Sequence, residues 1–147
     1  MSSYYERKLR MIRLEEKLSQ AAFAQLTGIN IGTIKNYELG KRGVGLGVIE
    51  QVLKASDFKK YTLWLMLGEV NVDAGQVAPK LFLEAKDKIV NTYRLLGMKP
   101  QDIDEKIINH IKDITAEEGQ DKYPDAISKE DLIFIFEYYR DSLANEY

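Results

Sequence analysis

Two side chains on which catalytic and metal sites often depend are missing or rare in this sequence. It contains no cysteine and one histidine among its 147 residues. Without cysteine there is no disulfide, no thiol nucleophile and no cysteine-bound metal. A single histidine also excludes a histidine-rich metal site. We therefore expect no metal ion in this protein.

Long apolar segments are missing as well. No run of about 18 apolar residues occurs, so we expect no membrane-spanning helix. The residues that follow Met1 are polar or tyrosine, and they do not form the apolar core of a secretory signal peptide. We therefore expect a cytoplasmic protein that does not bind a membrane.

The usual arrangements of catalytic residues are not found either. The sequence contains no glycine-rich phosphate-binding loop and no constellation around a nucleophile. Acidic pairs such as Glu117 and Glu118 are typical of exposed helix faces, and His110 lies beside an apolar stripe rather than in it. We therefore expect no catalytic residues, no cofactor and no small-molecule ligand.

The charge is distributed unevenly along the chain. The net charge is −2, but residues 1–67 contain 11 Lys and Arg against 6 Asp and Glu, and residues 68–147 contain 10 against 17. The first half is thus +5 and the second −7. Such asymmetry suggests that the first half binds a polyanion and that the second has another role. The alternative is a small basic domain whose charge only keeps it soluble.

Residues 18–42, LSQAAFAQLTGINIGTIKNYELGKR, predict two short helices around a tight turn. Ser19 and Asn30 are good N-caps for the two helices. Gly28 and Gly40 follow them, where the end of a helix favours a residue that tolerates positive φ. A helix, a glycine-containing turn and a second helix are typical of a helix-turn-helix. We expect its apolar members to be mostly buried: Phe23, Leu26, Ile29, Ile34 and Tyr37.

This segment resembles the helix-turn-helix of the Cro/phage-repressor (XRE) family. The matching positions, within about 25 residues, are Ser19-Gln20, Ala24, Gly28-Ile29, Thr33-Ile34, Tyr37-Glu38 and Gly40-Lys41. Further on, KYTLWLM at 60–66 and AGQVAP at 74–79 resemble the short C-type immunity repressors of temperate phages. The resemblance covers about the first half of the chain and implies a repressor that binds DNA.

The resemblance implies that the helix after Asn30 enters the major groove, with its N-terminal residues at base edges. The predicted base-contacting residues are Ile31, Gly32, Lys35 and Asn36. Lys35 can donate to guanine, Asn36 can pair with adenine, and Ile31 can touch a thymine methyl. Gly32 departs from the family, whose members usually have a polar side chain there, so we expect poor base recognition at that position.

A second set of residues is predicted to contact DNA phosphates, which position the protein. These residues are Gln20, Thr33, Tyr37, Lys41 and Arg42. Family members hold a phosphate at the position of Gln20, where a helix N-terminus itself favours an anion. The alternatives are a capping role for Gln20, a hydroxyl at the start of the helix for Thr33, and a core position for Tyr37. For Lys41 and Arg42 the alternative is a solvated helix end.

Three more helices are predicted to complete a five-helix domain over residues 1–69. The first, 6–17, places Leu9, Ile12 and Leu14 inward. The fourth, 46–55, has an apolar face formed by Leu46, Ile49, Val52 and Leu53. The fifth, 57–67, contains Trp64 and is apolar nearly all round, which predicts burial on two sides. One side is the domain's own core, and the other is a dimer partner or the second half of the chain.

The first predicted helix also contains Arg7, Arg10 and Arg13, spaced three residues apart on a face of their own. Arginines at this spacing are typical of a solvated face with nearby glutamate partners. The alternative is that they contact phosphate.

Beyond this domain we predict a linker over residues 70–80 and a helical region over 81–147. Three helices are expected in it, at 81–96, 100–117 and 129–144, and Ser128 with Asp131 forms a capping box before the last. Some larger phage repressors have a self-cleaving serine-lysine peptidase half. That fold needs strands, which this region lacks, so we expect no cleavage. The whole chain is predicted to be all-α.

We therefore predict a sequence-specific DNA-binding transcription regulator, a phage or prophage repressor that binds an inverted-repeat operator in double-stranded DNA. Two half-sites call for a homodimer, and the acidic second half and the Trp64 helix are candidate dimerisation surfaces. The alternative is a protein-interaction module, an antitoxin or adaptor, that uses the same fold.

Overall fold

The computed structural model describes residues 4–95, 97 and 128–144. The chain divides into two compact units, Met1–Lys80 and Leu81–Tyr147. The described residues are helical apart from turns and one isolated antiparallel bridge between Asn71 and Gln76. The all-α prediction is confirmed. The helix predicted at 100–117 lies outside the described residues.

Five α-helices and a 3₁₀ helix make up most of residues 4–80. Their bounds are α1 Tyr5–Glu15, α2 Gln20–Thr27, α3 Ile31–Glu38, α4 Leu46–Lys54, the 3₁₀ helix Ser56–Tyr61 and α5 Thr62–Leu67. A short second 3₁₀ helix, Val72–Ala74, and two further α-helices follow, α6 Lys80–Leu95 and α7 Lys129–Ala144. The five predicted helices of the first domain are therefore present. The fifth differs, because its first part is a 3₁₀ helix.

The packing of Phe58 and Tyr61 explains why the segment Ser56–Tyr61 is a 3₁₀ helix. Residues three apart lie one above the other in a 3₁₀ helix, and this places both Phe58 and Tyr61 in the core. The Phe58 ring packs against Phe23 of α2 with 5.3 Å between ring centroids. A regular α-helix would turn two residues so spaced further apart around its axis.

Most of the predicted core is buried, including Leu9 and Ile12 of α1, Ile34 of α3, and Trp64 of α5. Two predictions are wrong. Leu26 is 47% exposed and Leu46 is 73% exposed. Leu26 lies on the outer side of α2, and Leu46 is the first residue of α4, which follows an open glycine-containing loop. Neither side chain reaches the interior from its place on its helix.

The arginines of α1 are buried, so neither a solvated face nor a phosphate contact describes them. Arg13 donates from Nε to Glu38 Oε2 at 2.9 Å and from a terminal nitrogen to Glu38 Oε1 at 2.6 Å. Arg10 forms an ion pair with the same carboxylate at 3.5 Å. Arg7 donates to the backbone carbonyls of Tyr37 and Glu38. Burial is tolerated because each cation has acceptors at the end of α3.

Lys8 is also buried and closes the end of α5. Its Nζ donates to the carbonyls of Leu65 at 3.2 Å and Trp64 at 3.4 Å, and lies 5.6 Å from the Trp64 ring centroid. The last carbonyls of a helix lack partners inside it and favour a cation. Burial lowers the pKa of Lys8. Lys8 thus anchors α5 to α1.

The segment predicted as a linker is hydrogen-bonded to the 3₁₀ helix and α5. Val77 N donates to Lys60 O at 2.8 Å, and Gln76 Oε1 accepts from Leu63 N at 2.9 Å. Lys80 N donates to Glu15 Oε1 at 2.6 Å. These contacts lie within the first unit. The domain limits 1–69, 70–80 and 81–147 stay a prediction.

The second unit has an aromatic cluster. Phe82 of α6 lies 6.0 Å from Phe134 and 5.2 Å from Tyr138 of α7, measured between ring centroids. The predicted capping box is present before α7. Ser128 N donates to Asp131 Oδ2 at 2.8 Å, and Asp131 N donates to Ser128 Oγ at 3.3 Å. Local chemistry thus defines the start of α7.

We expect Glu38→Ala to destabilise the protein by about 3–5 kcal/mol, because it leaves buried guanidinium groups without their carboxylate. The free energy of unfolding, measured in urea, tests this. The matched control is Glu50→Ala, the same truncation in an exposed pair with Lys54 at 3.1 Å. That variant should lose less than about 1 kcal/mol. Equal losses in the two variants would contradict the role given to Glu38.

Candidate nucleic-acid interface

The helix-turn-helix is held in place by local caps. Ser19 Oγ accepts from Ala22 N at 3.0 Å at the start of α2, and Asn30 Oδ1 accepts from Gly32 N at 2.7 Å at the start of α3. Gly28 has φ 74° and ends α2. Thr27 Oγ1 donates to Phe23 O at 2.7 Å. The two predicted caps and the glycine turn are confirmed, and together they set the angle at which α3 leaves the turn.

One side of α3 is anchored and the other is open. Ile34, Tyr37 and Glu38 are buried, whereas Lys35 and Asn36 are exposed. Ile31 is exposed as well, and Gly32 is half-buried. The predicted base-contacting residues fall on adjacent rows, since Ile31 and Lys35, and Gly32 and Asn36, are each four residues apart on one helix. The structure therefore brings these four residues to one surface.

The structure gives a reason for glycine at position 32. A Cβ at this position would lie 3.0 Å from Asn30 Oδ1, the atom that caps α3. The backbone N–H of the same glycine is the donor of that cap. A side chain at position 32 would therefore crowd the cap. The departure from the family pattern goes together with a tight Asn30 cap.

The chain reverses direction at the end of α3, directly before Lys41 and Arg42. Gly40 has φ 76°, and Lys41 N donates to Asn36 O at 2.9 Å. This is the reversal that commonly ends an α-helix. Both basic side chains are exposed. They add two positive charges directly after the open face of α3.

Gln20 and Thr33, two other predicted phosphate contacts, are half-buried. Gln20 Nε2 donates to Glu38 Oε1 at 3.4 Å. Its side chain is therefore turned toward the buried ion-pair network, whereas Ser19 accepts the cap hydrogen bond of α2. The structure places Gln20 at the first residue of α2.

Tyr37 is a core residue, and the structure corrects the expectation that it contacts phosphate. The side chain is 1% exposed, and its buried hydroxyl has no hydrogen-bond partner among the described residues. Burial raises the pKa of Tyr37, and the nearby Glu38 charge raises it further. Its ring lies on the same face as Ile34, one helical turn away. Tyr37 therefore occupies a core position, which was the alternative for this residue.

The basic residues at the surface are fewer than those counted in the sequence of residues 1–67, because some of them are buried. Residues 1–67 contain 11 Lys and Arg, of which the four in α1 are buried and the other seven exposed. Three of these seven are Lys35, Lys41 and Arg42. The acidic residue of α3, Glu38, is buried. The open side of α3 is therefore positively charged, and sequence counting could not separate these cations from those of α1.

Two kinds of site are absent from the residues that the structure describes. No group of three or more acidic, histidine or cysteine side chains lies close enough to hold a metal ion in that part of the chain. Among the helices described, none is long and apolar enough to cross a membrane.

Comparison with known proteins agrees with this geometry. Residues 7–60 match the family model described as "Helix-turn-helix domain". The chain is also similar to "Repressor protein C" of Escherichia phage P2, with 37% identity over 81 residues. That alignment covers 55% of this chain and 82% of the relative. The resemblance drawn from residues 18–42 is confirmed, and the chain belongs to the phage-repressor-like helix-turn-helix family.

Proposed function

We propose that this protein is a phage or prophage repressor that binds an inverted-repeat operator in double-stranded DNA as a homodimer. Membership of the family gives the coarse function, a DNA-binding regulator of transcription. The observation that supports the finer proposal is the open face of α3, where Lys35 and Asn36 are exposed while Ile34 and Tyr37 are buried. A protein-interaction module without a DNA role would not need this face.

In the proposed complex α3 lies in the major groove. Lys35 donates to guanine O6 and N7, and Asn36 pairs with adenine N6 and N7. Ile31 contacts a thymine methyl, and the backbone at Gly32 approaches the bases closely. Bases in the major groove present distinct donor and acceptor patterns, so this small set of side chains can distinguish sequences.

The phosphate contacts in this proposal come from both ends of the motif. Lys41 and Arg42 contact the backbone beyond the end of α3, and Thr33 contacts it near the start. Gln20 lies at the N-terminus of α2, where the helix dipole favours a phosphate. Such contacts set the orientation of the protein on the duplex without reading its sequence.

A homodimer is part of the proposal because one helix-turn-helix contacts few base pairs. Two copies related by a two-fold axis bind two half-sites about one DNA turn apart. Each additional correct base pair contributes about 1–3 kcal/mol to discrimination, so doubling the site raises specificity steeply.

We expect the double variant Lys35→Ala, Asn36→Ala to lose about 10- to 1,000-fold in affinity for the preferred operator, because both bidentate base contacts are removed. The operator is first selected from a random DNA pool with the wild-type protein, and affinities are then measured by gel shift. Thermal stability should not change, since both side chains are exposed. Lys54→Ala, an exposed lysine of α4, is the control. Full affinity in the double variant would show that Lys35 and Asn36 of α3 do not recognise bases.

We expect Lys41→Ala and Arg42→Ala to weaken binding to all DNA sequences alike, because the lost contacts are to phosphates. Each lost contact should lower the slope of log K against log salt by about 1. Titrations of the operator and of an unrelated duplex at several salt concentrations measure both effects. A loss confined to the operator would show instead that these residues contact bases.

We expect Tyr37→Phe to bind the operator like wild type, because the hydroxyl is buried. It should leave stability at pH 7 unchanged or raise it by about 1 kcal/mol, since no hydrogen bond of this hydroxyl is lost. An unfolded tyrosine ionises near pH 10, whereas burial raises the pKa of Tyr37 in the folded protein. The free energy of unfolding should therefore fall above about pH 10, and less so in the variant. A fall equally steep in both proteins would contradict this.

A further inference from the structure

The turn between α1 and α2 has an uncommon backbone conformation at Lys17. This residue has φ 56°, in the left-handed region that residues with a Cβ seldom adopt. Lys17 N donates to Leu14 O at 3.0 Å, and the next residue, Leu18, donates from its N to Arg13 O at 3.1 Å. These two bonds form the reversal that often ends an α-helix, where glycine is the usual left-handed residue.

Elsewhere the chain uses glycine for this conformation. The left-handed residues that follow α2, α3 and α5 are Gly28, Gly40 and Gly68, with φ of 74°, 76° and 71°. Within the part of the chain that the structure describes, α1 is the helix whose left-handed end residue has a side chain. A side chain kept at a strained position points to a function of that side chain.

The side chain of Lys17 is exposed and has no use inside the protein. It forms no hydrogen bond or ion pair with any residue that the structure describes. The two carboxylates before it have other partners. Glu16 pairs with Lys60 at 2.8 Å. Glu15 accepts from Lys80 N at 2.6 Å. The charge of Lys17 is therefore not neutralised by its neighbours in the sequence.

Buried contacts fix the position of Lys17 relative to the proposed DNA-binding surface. Arg13 Nη1 donates to Leu18 O at 2.9 Å, and the same guanidinium bonds both carboxylate oxygens of Glu38 at the end of α3. Gln20, the first residue of α2, donates to that carboxylate as well. Because buried charge pairs tolerate little displacement, the turn at Lys17 moves together with the start of α2 and the end of α3.

We propose that Lys17 contacts a DNA phosphate beside Gln20. The inference rests on the DNA binding of the proposed function and adds a residue to its interface. Lys17 lies three residues before Gln20, and the N-terminus of α2 itself favours an anion. A lysine ammonium is a point charge on a flexible stem, which suits a phosphate and does not depend on the base sequence.

The experiment compares substitutions of Lys17 in the full-length chain by gel shift at several salt concentrations. Lys17→Gly and Lys17→Asn both remove the charge and tolerate the left-handed conformation. We expect each to lose about 3- to 10-fold in operator affinity at about 0.1 M salt, and the slope of log K against log salt to fall by about 1 for each copy bound. Lys17→Arg should stay within about twofold of wild type, because a guanidinium also binds phosphate.

Stability distinguishes a phosphate contact from a structural role of Lys17. We expect Lys17→Gly to melt at a higher temperature than wild type in circular dichroism, since glycine adopts positive φ without a steric cost. Weaker binding by a more stable variant cannot result from unfolding. The matched control is Lys54→Asn, which removes an exposed lysine of α4 that makes no proposed DNA contact. It should stay within about twofold of wild type in affinity, because salt screens distant charges.

The outcomes separate this inference from the proposed function. Weaker binding and a lower salt slope in Lys17→Gly and Lys17→Asn, on the operator and on an unrelated duplex alike, support the contact. Wild-type affinity and slope in both variants would overturn it, and so would an equal loss in Lys17→Arg. Operator selection by the wild type would in either case leave the repressor proposal standing.

The converse outcome is also defined. A wild type that binds every duplex alike would refute a sequence-specific repressor, while a lower salt slope in the variants would still support Lys17 as a phosphate contact. A wild type that binds no DNA would overturn both proposals.

Discussion

The carboxylate of Glu38 organises the first unit. It is the last residue of α3, it is buried, and it accepts from Arg13, Arg10 and Gln20. Through it the end of α3 is joined to α1 and to the start of α2. A buried carboxylate and its guanidinium partners tolerate little displacement, because an unpaired charge in the interior is costly. The direction of the open face of α3 thus depends on a residue that does not reach the surface.

The burial of the α1 cations also changes how the basic excess of residues 1–67 is interpreted. The basic excess of residues 1–67 is real, but the cations of α1 are used inside the protein, where they bond Glu38 and the carbonyls at the ends of α3 and α5. The positive charge at the surface of the motif comes from Lys35, Lys41 and Arg42. Net charge is a legitimate argument about partners only after buried charges are removed. A sequence cannot make that subtraction.

Features set by neighbouring residues were predictable, and those set by distant ones were not. The caps at Ser19, Asn30 and Ser128 depend on atoms two or three residues away, so their patterns predicted them. The four candidate base-contacting residues share a surface because helical spacing alone places them there. By contrast, the burial of Arg13 depends on Glu38, 25 residues away. Only the folded structure shows that Arg13 is buried against Glu38. The same is true of the enclosed hydroxyl of Tyr37.

The short contact between Asn30 and Gly32 restricts how this motif can evolve. A Cβ at position 32 would lie 3.0 Å from Asn30 Oδ1, so the capping side chain would have to shift slightly to admit it. A single replacement of Gly32 would displace the capping oxygen, and a single replacement of Asn30 would give up the cap. A paired change, in which a smaller or differently placed capping group accompanies the new side chain, would relieve this contact and allow a new base preference at position 32.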